Sequence, residues 1–312
     1  MLPQFSRRRS YDFRIWRLKI LNNLTSLSII GIVVLILISL VVFVWYSKDL
    51  PLPDQVKRRE GFSSLILDRK GKPLYDIYVD KNRIPIAFSD IPDFLKKATV
   101  SVEDKDFYSH AGFDPKGILR ALFHMVTLRG VQGGSTLTQQ LVKNVLLTSE
   151  RSFPRKIKEF VLAIQIERKY TKDEILQMYL NEAPYGGTMW GIESAAQGYF
   201  GKHAKDLTPL ESAILAGFPQ RPSYYSPFGS SPKAYRVRSE EVLRRLREDG
   251  HITQLAEYEF KSQLNTVKFA SPGAQFKAPH FVLSVKKQLT DLFGAKLVEE
   301  GGLRVTTTLD AS

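Results

Sequence analysis

Between Ile20 and Ser47 the chain carries no charged residue, and Leu27 to Tyr46 is apolar apart from Ser28, Gly31 and Ser39. Twenty such residues, rising roughly 1.5 Å each as a helix, match a bilayer hydrocarbon core of about 30 Å. A run of this kind restricts the fold more than any other feature, because it reads as a segment that crosses a membrane. Arg7, Arg8, Arg9, Arg14, Arg17 and Lys19 precede it, against the single acid Asp12. That bias predicts a cytoplasmic N-terminus, with everything after Lys48 on the outer side. Trp45 and Tyr46 stand where an interfacial aromatic belt is expected. The run is too long for a cleaved signal peptide, and no small-x-small cleavage site follows it. The expectation is a single-pass anchor in the cytoplasmic (inner) membrane.

The rest of the chain is ordinary globular material. The 312 residues are 43% hydrophobic, and the net charge of +13 calls for an anionic partner. No nucleic-acid motif is present, and a domain outside the membrane rarely meets DNA, so the anion is expected to be a lipid surface or a phosphorylated substrate. There are no cysteines, which removes disulfides and thiolate metal sites. After Pro51 and Pro53, the runs SSLILD and PLYDIYV predict two strands joined by Arg69–Lys72. Helical patterns then take over. Pro92–Val102 leads to Glu103, and Pro115–Arg129 forms a second helix with Leu122, Phe123, Met125 and Val126 as its bulky face. Thr171–Glu174 and Thr208–Glu211 are capping boxes, the latter with Pro209 at the first helical position. A charged helix runs from Ser231-Pro232 to Gly250, and two more occupy Thr253–Leu264 and Pro279–Phe293. Leu303–Leu309 alternates as a strand would, with nothing after it to pair with, which suggests a chain that continues elsewhere.

Three clusters carry chemistry. Glu103 and Asp104 follow an apolar run and precede Phe107, His110, Gly112 and Asp114; partial burial there raises a carboxylate toward the range of a useful base. A surface acid pair at a helix end is the bland alternative. Gly133–Gln140 is no phosphate-binding P-loop, since no Gly-Lys-Ser/Thr closes it. Instead, Thr136 and Gln139 predict a capping box that opens a helix. On this helix Gln140, Lys143 and Asn144 share one face, and Leu137, Leu141 and Val145 share the inward one. Arg155, Lys156 and Glu159 begin another helix, whose apolar stripe Ile157, Phe160, Val161, Ile164 turns Glu159 off the core. Read alone, that triplet is equally well an ordinary helix-surface ion pair. The helix from Lys172 to Glu182, which carries Asn181, turns Ile175, Leu176, Tyr179 and Leu180 inward.

In this order the pieces resemble the peptidoglycan glycosyltransferases of glycosyltransferase family 51, the N-terminal part of class A penicillin-binding proteins. The quoted motifs are Glu-Asp-x-x-Phe-x-x-His-x-Gly-x-Asp, Gly-Gly-Ser-Thr-x-Thr-Gln-Gln-x-x-Lys-Asn, Arg-Lys-x-x-Glu and Lys-x-x-Ile-Leu-x-x-Tyr-Leu-Asn. Tyr185–Lys202 and Leu215–Pro227 add to the likeness, which covers about residues 60–310. Arg221 departs from it, where a small residue is expected. Ser284-x-x-Lys287 lacks the Ser-x-Asn and Lys-Thr-Gly partners of a penicillin-binding serine site.

The resemblance implies a mainly α, lysozyme-like two-lobed glycosyltransferase domain, preceded by one transmembrane helix and a short β stalk. The implied division is a cytoplasmic tail at 1–23, the anchor at 24–47, a stalk at 48–80 and the catalytic domain at 81–250. Residues 251–312 would be a helical segment and the start of a linker to a transpeptidase domain. The implied reaction polymerises lipid II into β-1,4 glycan strands and releases undecaprenyl diphosphate. Glu103 would be the general base, and Glu159 a second carboxylate that orients cations or holds a divalent ion. Lys143, Arg155 and Lys156 would cradle the diphosphate. Substrate contacts are carried over to Asp104, His110, Ser135, Thr136, Gln139, Gln140, Asn144, Lys172 and Asn181. Mg²⁺ or Mn²⁺ rests on the resemblance alone. Implied partners are lipid II, the growing lipid-linked glycan, the membrane and other cell-wall synthesis proteins, and no nucleic acid. Two readings compete: a lytic transglycosylase or lysozyme-like hydrolase, for which the three cations would have no task, and a non-catalytic membrane-anchored scaffold.

Overall fold

The computed structural model describes residues 22–23, 25–34, 37, 41, 45, 50–56, 61–78, 81–114, 134–147, 152–229, 231–270 and 278–310. Contacts divide the chain into two compact units, Met1–Leu50 and Pro51–Ser312. In the first, the described residues are helical and their apolar side chains, Leu27, Ile29 and Trp45 among them, are exposed. Much of the run Leu27–Tyr46 lies outside the described residues. Among those described, no helix is long and apolar enough to cross a membrane. The helix expected at Pro115–Arg129 also lies outside them.

The second unit is mainly helical, with two small sheets. Its centre is α1 (Asp93–Glu103), which packs on α6 (Pro209–Gly217) and α7 (Ala234–Glu248). The reason is visible in the side chains. Leu95, Ala98 and Val102 on α1 meet a matching buried set, Ala213 and Ile214 on α6 and Val242, Leu243 and Leu246 on α7. A second helical group joins α2 (Leu137–Val145), α3 (Phe153–Lys169) and α4 (Lys172–Glu182). Two of the three expected capping boxes form in full, at Thr171–Glu174 on α4 and Thr208–Glu211 on α6. Helix α5 (Ile192–Phe200) begins at Gly191, whose φ is +81°. A Cβ at Gly191 would sit 2.5 Å from the Asn181 carbonyl oxygen, so only glycine fits.

The first sheet corrects one expectation. Strands β1 (Ser64–Leu67) and β2 (Pro73–Ile77) form the antiparallel hairpin, but the C-terminal strand, Arg304–Thr306, is not left unpaired. It adds parallel to β1, with Leu65 opposite Arg304 and Ile66 opposite Val305. A parallel neighbour needs a long crossover, and here nearly the whole chain supplies it. Beyond α8 (Gln254–Gln263), helices α9 (Pro279–Phe293) and α10 (Ala295–Glu300) cover this sheet, so that Ile66, Leu74 and Ile77 share one core with Val282, Leu289 and Val298. The second sheet pairs β3 (Asn82–Arg83), β5 (Met189–Trp190) and β4 (Pro184–Gly186). The loop after α6 contains one helical turn, Pro222–Tyr225, opened by Arg221.

Candidate active site

Glu103 ends α1 where three helices converge. Its Oε1 accepts a hydrogen bond from Arg238 Nη2 of α7 at 2.8 Å, and its Oε2 accepts from Gln140 Nε2 of α2 at 2.8 Å. Both members of the ion pair are nearly buried, with side-chain exposures of 8% for Glu103 and 7% for Arg238. The Arg238 Nε also donates to the Gly217 carbonyl at the end of α6. Sequence reasoning missed Arg238. It stands 135 residues from Glu103 in a helix crowded with surface arginines, and nothing local marks it off from Arg244 or Arg245. Gln140 is held in turn by the Tyr179 hydroxyl at 3.4 Å. Burial, with the Glu103 charge second, raises the Tyr179 pKa well above the ordinary phenol value. Tyr185 is fully buried, its hydroxyl without a hydrogen-bond partner, and its pKa is raised by burial and then by Glu103.

Asp104 does architectural work beside Glu103. Its carboxylate takes the His110 Nε2 at 2.9 and 3.0 Å and the Leu137 backbone N–H at 2.9 Å. Because Gly112 N–H donates to His110 Nδ1, the imidazole must carry its proton on Nε2, facing Asp104. The start of α2 is thereby fastened to the end of α1. Thr136 caps α2 by accepting from Gln139 N–H, and its hydroxyl donates to the Gly112 carbonyl. Only half of the expected capping box forms here: the Gln139 side chain reaches Gly112 O instead of returning to the cap. Gly112 has φ +89°, and a Cβ there would lie 2.9 Å from Ala163 O.

Glu159 overturns another expectation. It is 2% exposed, not turned away from the core. The buried arc of α3 runs Glu159, Leu162, Ala163, Ile166, an i, i+3, i+4, i+7 set in which the carboxylate holds the first place; of the expected stripe Val161 is buried too, while Ile157, Phe160 and Ile164 are only half-buried. Lys156 Nζ donates to Glu159 Oε2 at 2.8 Å and to Ser135 Oγ at 2.7 Å. Arg155 Nε pairs with Glu159 Oε1 at 3.2 Å without hydrogen-bond alignment. Lys143 lies within the field of the same groups. Crowding by protein lowers its pKa first; Glu159 opposes this, Arg155 and Lys156 add to it, and Glu103 opposes. The residue as a whole is nevertheless exposed. Asn144 is half-buried on α2.

Two expected substrate contacts hold scaffold in this structure. Lys172 Nζ lies 2.6 Å from Glu167 and 4.5 Å above the Phe107 ring. Asn181 clasps the Ile86 backbone, accepting from its N–H at 3.1 Å and donating to its carbonyl at 3.0 Å. Among the described residues no three His, Asp or Glu side chains cluster as a metal shell, and Glu159 is already committed to two cations.

Glu103 with Arg238 and Gln140, and Glu159 with Arg155 and Lys156, are the two carboxylate clusters of the site, and comparison with known proteins gives the family. The family model described as Transglycosylase matches residues 70–247, and the chain belongs to that family. It is 37% identical over 293 residues to penicillin-binding protein 1A of Rickettsia bellii, covering 91% of this chain and 37% of that protein. Penicillin-binding protein 1A of Aquifex aeolicus is 38% identical over 288 residues, covering 91% and 39%. The Escherichia coli protein of the same name is 40% identical over 233 residues, covering 74% and 27%. The chain thus spans less than two fifths of the length of these relatives.

Proposed function

We propose that this chain polymerises lipid II: the 4-hydroxyl of an acceptor sugar attacks the anomeric carbon of a glycan carried on undecaprenyl diphosphate. The observation that carries the reading is the pair of differently dressed carboxylates, Glu103 between Gln140 and Arg238, and Glu159 between Arg155 and Lys156. A carboxylate offers about four lone-pair sites, and each Glu103 oxygen accepts one described hydrogen bond, which leaves room for the acceptor hydroxyl. That hydroxyl gives its proton to Glu103 as the new O–C1 bond forms. The C1–diphosphate bond breaks on the opposite face, giving inversion and a β-1,4 link. The departing diphosphate takes the electron pair, and Lys143, Arg155 and Lys156 offset its developing charge. Gln140 and Arg238 keep the base in place, and Glu159 orients the two cations beside it. The uncharged run at 20–47 would hold the enzyme in the membrane that carries its lipid-linked substrate.

The test is direct. The full chain in detergent micelles, given lipid II, should yield a ladder of glycan polymer on a gel and release undecaprenyl diphosphate. Cleavage of finished glycan without polymer would favour the hydrolase, and inertness toward both would favour a scaffold.

A further inference from the structure

Away from Glu103 lies a cavity of about 490 Å³, between the first sheet and the helical body. This is a volume that takes a small organic ligand. Leu65, Leu67 and Pro73 form one apolar wall, and Ile84, Pro85 and Ile86 another. The second wall is preformed. Ile86 is clasped by Asn181, and its carbonyl also accepts from Gln177 Nε2 at 3.0 Å.

The polar lining is uneven in a way that suggests what fits. Glu193 is buried and fully engaged, accepting from Gln197 Nε2 at 2.6 Å, His203 Nδ1 at 2.7 Å and Ala204 N–H at 2.8 Å. It therefore serves as a support, and by accepting from Nδ1 it leaves the other imidazole nitrogen of His203 for a ligand. Lys205, Arg304 and Asp90 also line the cavity, and no side-chain ion pair holds any of them among the described residues. Three unengaged charges of both signs beside two apolar walls do not suit a bare phosphate, which would ignore the walls. They do not suit a fatty acid either, which would leave Asp90 unanswered.

We propose that this cavity binds a short peptide with both ends free. Its carboxylate meets Lys205 and Arg304, its ammonium meets Asp90, and an apolar side chain lies on Ile84–Ile86. The site is independent of glycosyl transfer.

The dipeptide Leu-Leu, its N-acetyl form and its C-terminal amide, titrated into the full chain in detergent and followed by ligand-observed NMR, test this. Leu-Leu should bind saturably, and amidation should weaken it about tenfold, the loss expected for one charge-assisted contact. The double variant Lys205→Ala/Arg304→Ala should lose a similar factor for Leu-Leu and none for the amide. Asp90→Asn should remove the difference between the free and acetylated forms. These side chains are at the surface, so unchanged thermal melting should accompany every variant. No saturation at millimolar peptide, equal binding of all three probes, or indifference to the charge variants would each overturn the proposal.

Discussion

Glu103 and Glu159 are both buried carboxylates held by two partners, yet they are built in opposite ways. Glu159 takes its cations from three and four residues earlier on its own helix, a spacing that any helix enforces. Glu103 takes Gln140 from 37 residues away and Arg238 from 135 away, on two other helices. The cluster of Arg155 and Lys156 on Glu159 is therefore a local device that a helix makes as soon as it forms. The Glu103 site is a tertiary device, which exists only when α1, α2 and α7 have packed. The difference suits the proposed chemistry, since a diphosphate would tolerate cations that shift a little, while a proton acceptor must hold its place against the hydroxyl it serves.

The largest effect should come from the tertiary site. Glu103→Gln keeps an oxygen for Arg238 and should leave the melting temperature nearly unchanged, while polymerisation falls by about 10²-fold or more, as for loss of a general base. Wild-type polymer yield from that variant would end the assignment. Arg238→Met strands the buried Glu103 charge and should cost about 3–5 kcal/mol in denaturant unfolding. Adding Glu103→Gln to it should recover part of that loss, and a cycle without coupling would show that the two groups do not depend on one another. Asp104→Asn keeps the shape but weakens the charge-assisted bonds to His110 and Leu137 N–H, and should cost about 1.5–3 kcal/mol.

The local site should yield less. Arg155 and Lys156 retain side-chain exposures of 19% and 49%, so water answers for much of what Glu159 supplies. Glu159→Gln should therefore cost about 1 kcal/mol or less in stability, and a loss as large as that of Arg238→Met would erase the contrast between the two sites. Lys143 gives the smallest effect, and one of opposite sign. Crowding holds its pKa below 10.5, so between the folded and unfolded values the unfolded chain binds more protons, and stability rises with pH across that window. At neutral pH the charged lysine is thus a burden on the fold. Lys143→Met should melt slightly higher than wild type and bind inorganic diphosphate more weakly; a lower melting point together with unchanged diphosphate binding would count against its place in the cradle.

By itself the sequence determined what repeats within a turn or two. The capping boxes at Thr171 and Thr208, the helix from Lys172 to Glu182 and the cations three and four residues before Glu159 follow from helical spacing. The motif order was enough to place the chain in its family. Only the tertiary structure decided which face of α3 is inward. The apolar residues Ile157, Phe160 and Ile164 outbid Glu159 by composition, but a carboxylate neutralised by two cations can occupy the buried arc that an unpaired one could not. Arg238 as the partner of Glu103, and Arg304–Thr306 as a neighbour of β1, were hidden for a related reason. Each joins segments more than a hundred residues apart, and no periodicity in a chain encodes which distant segment will arrive beside it.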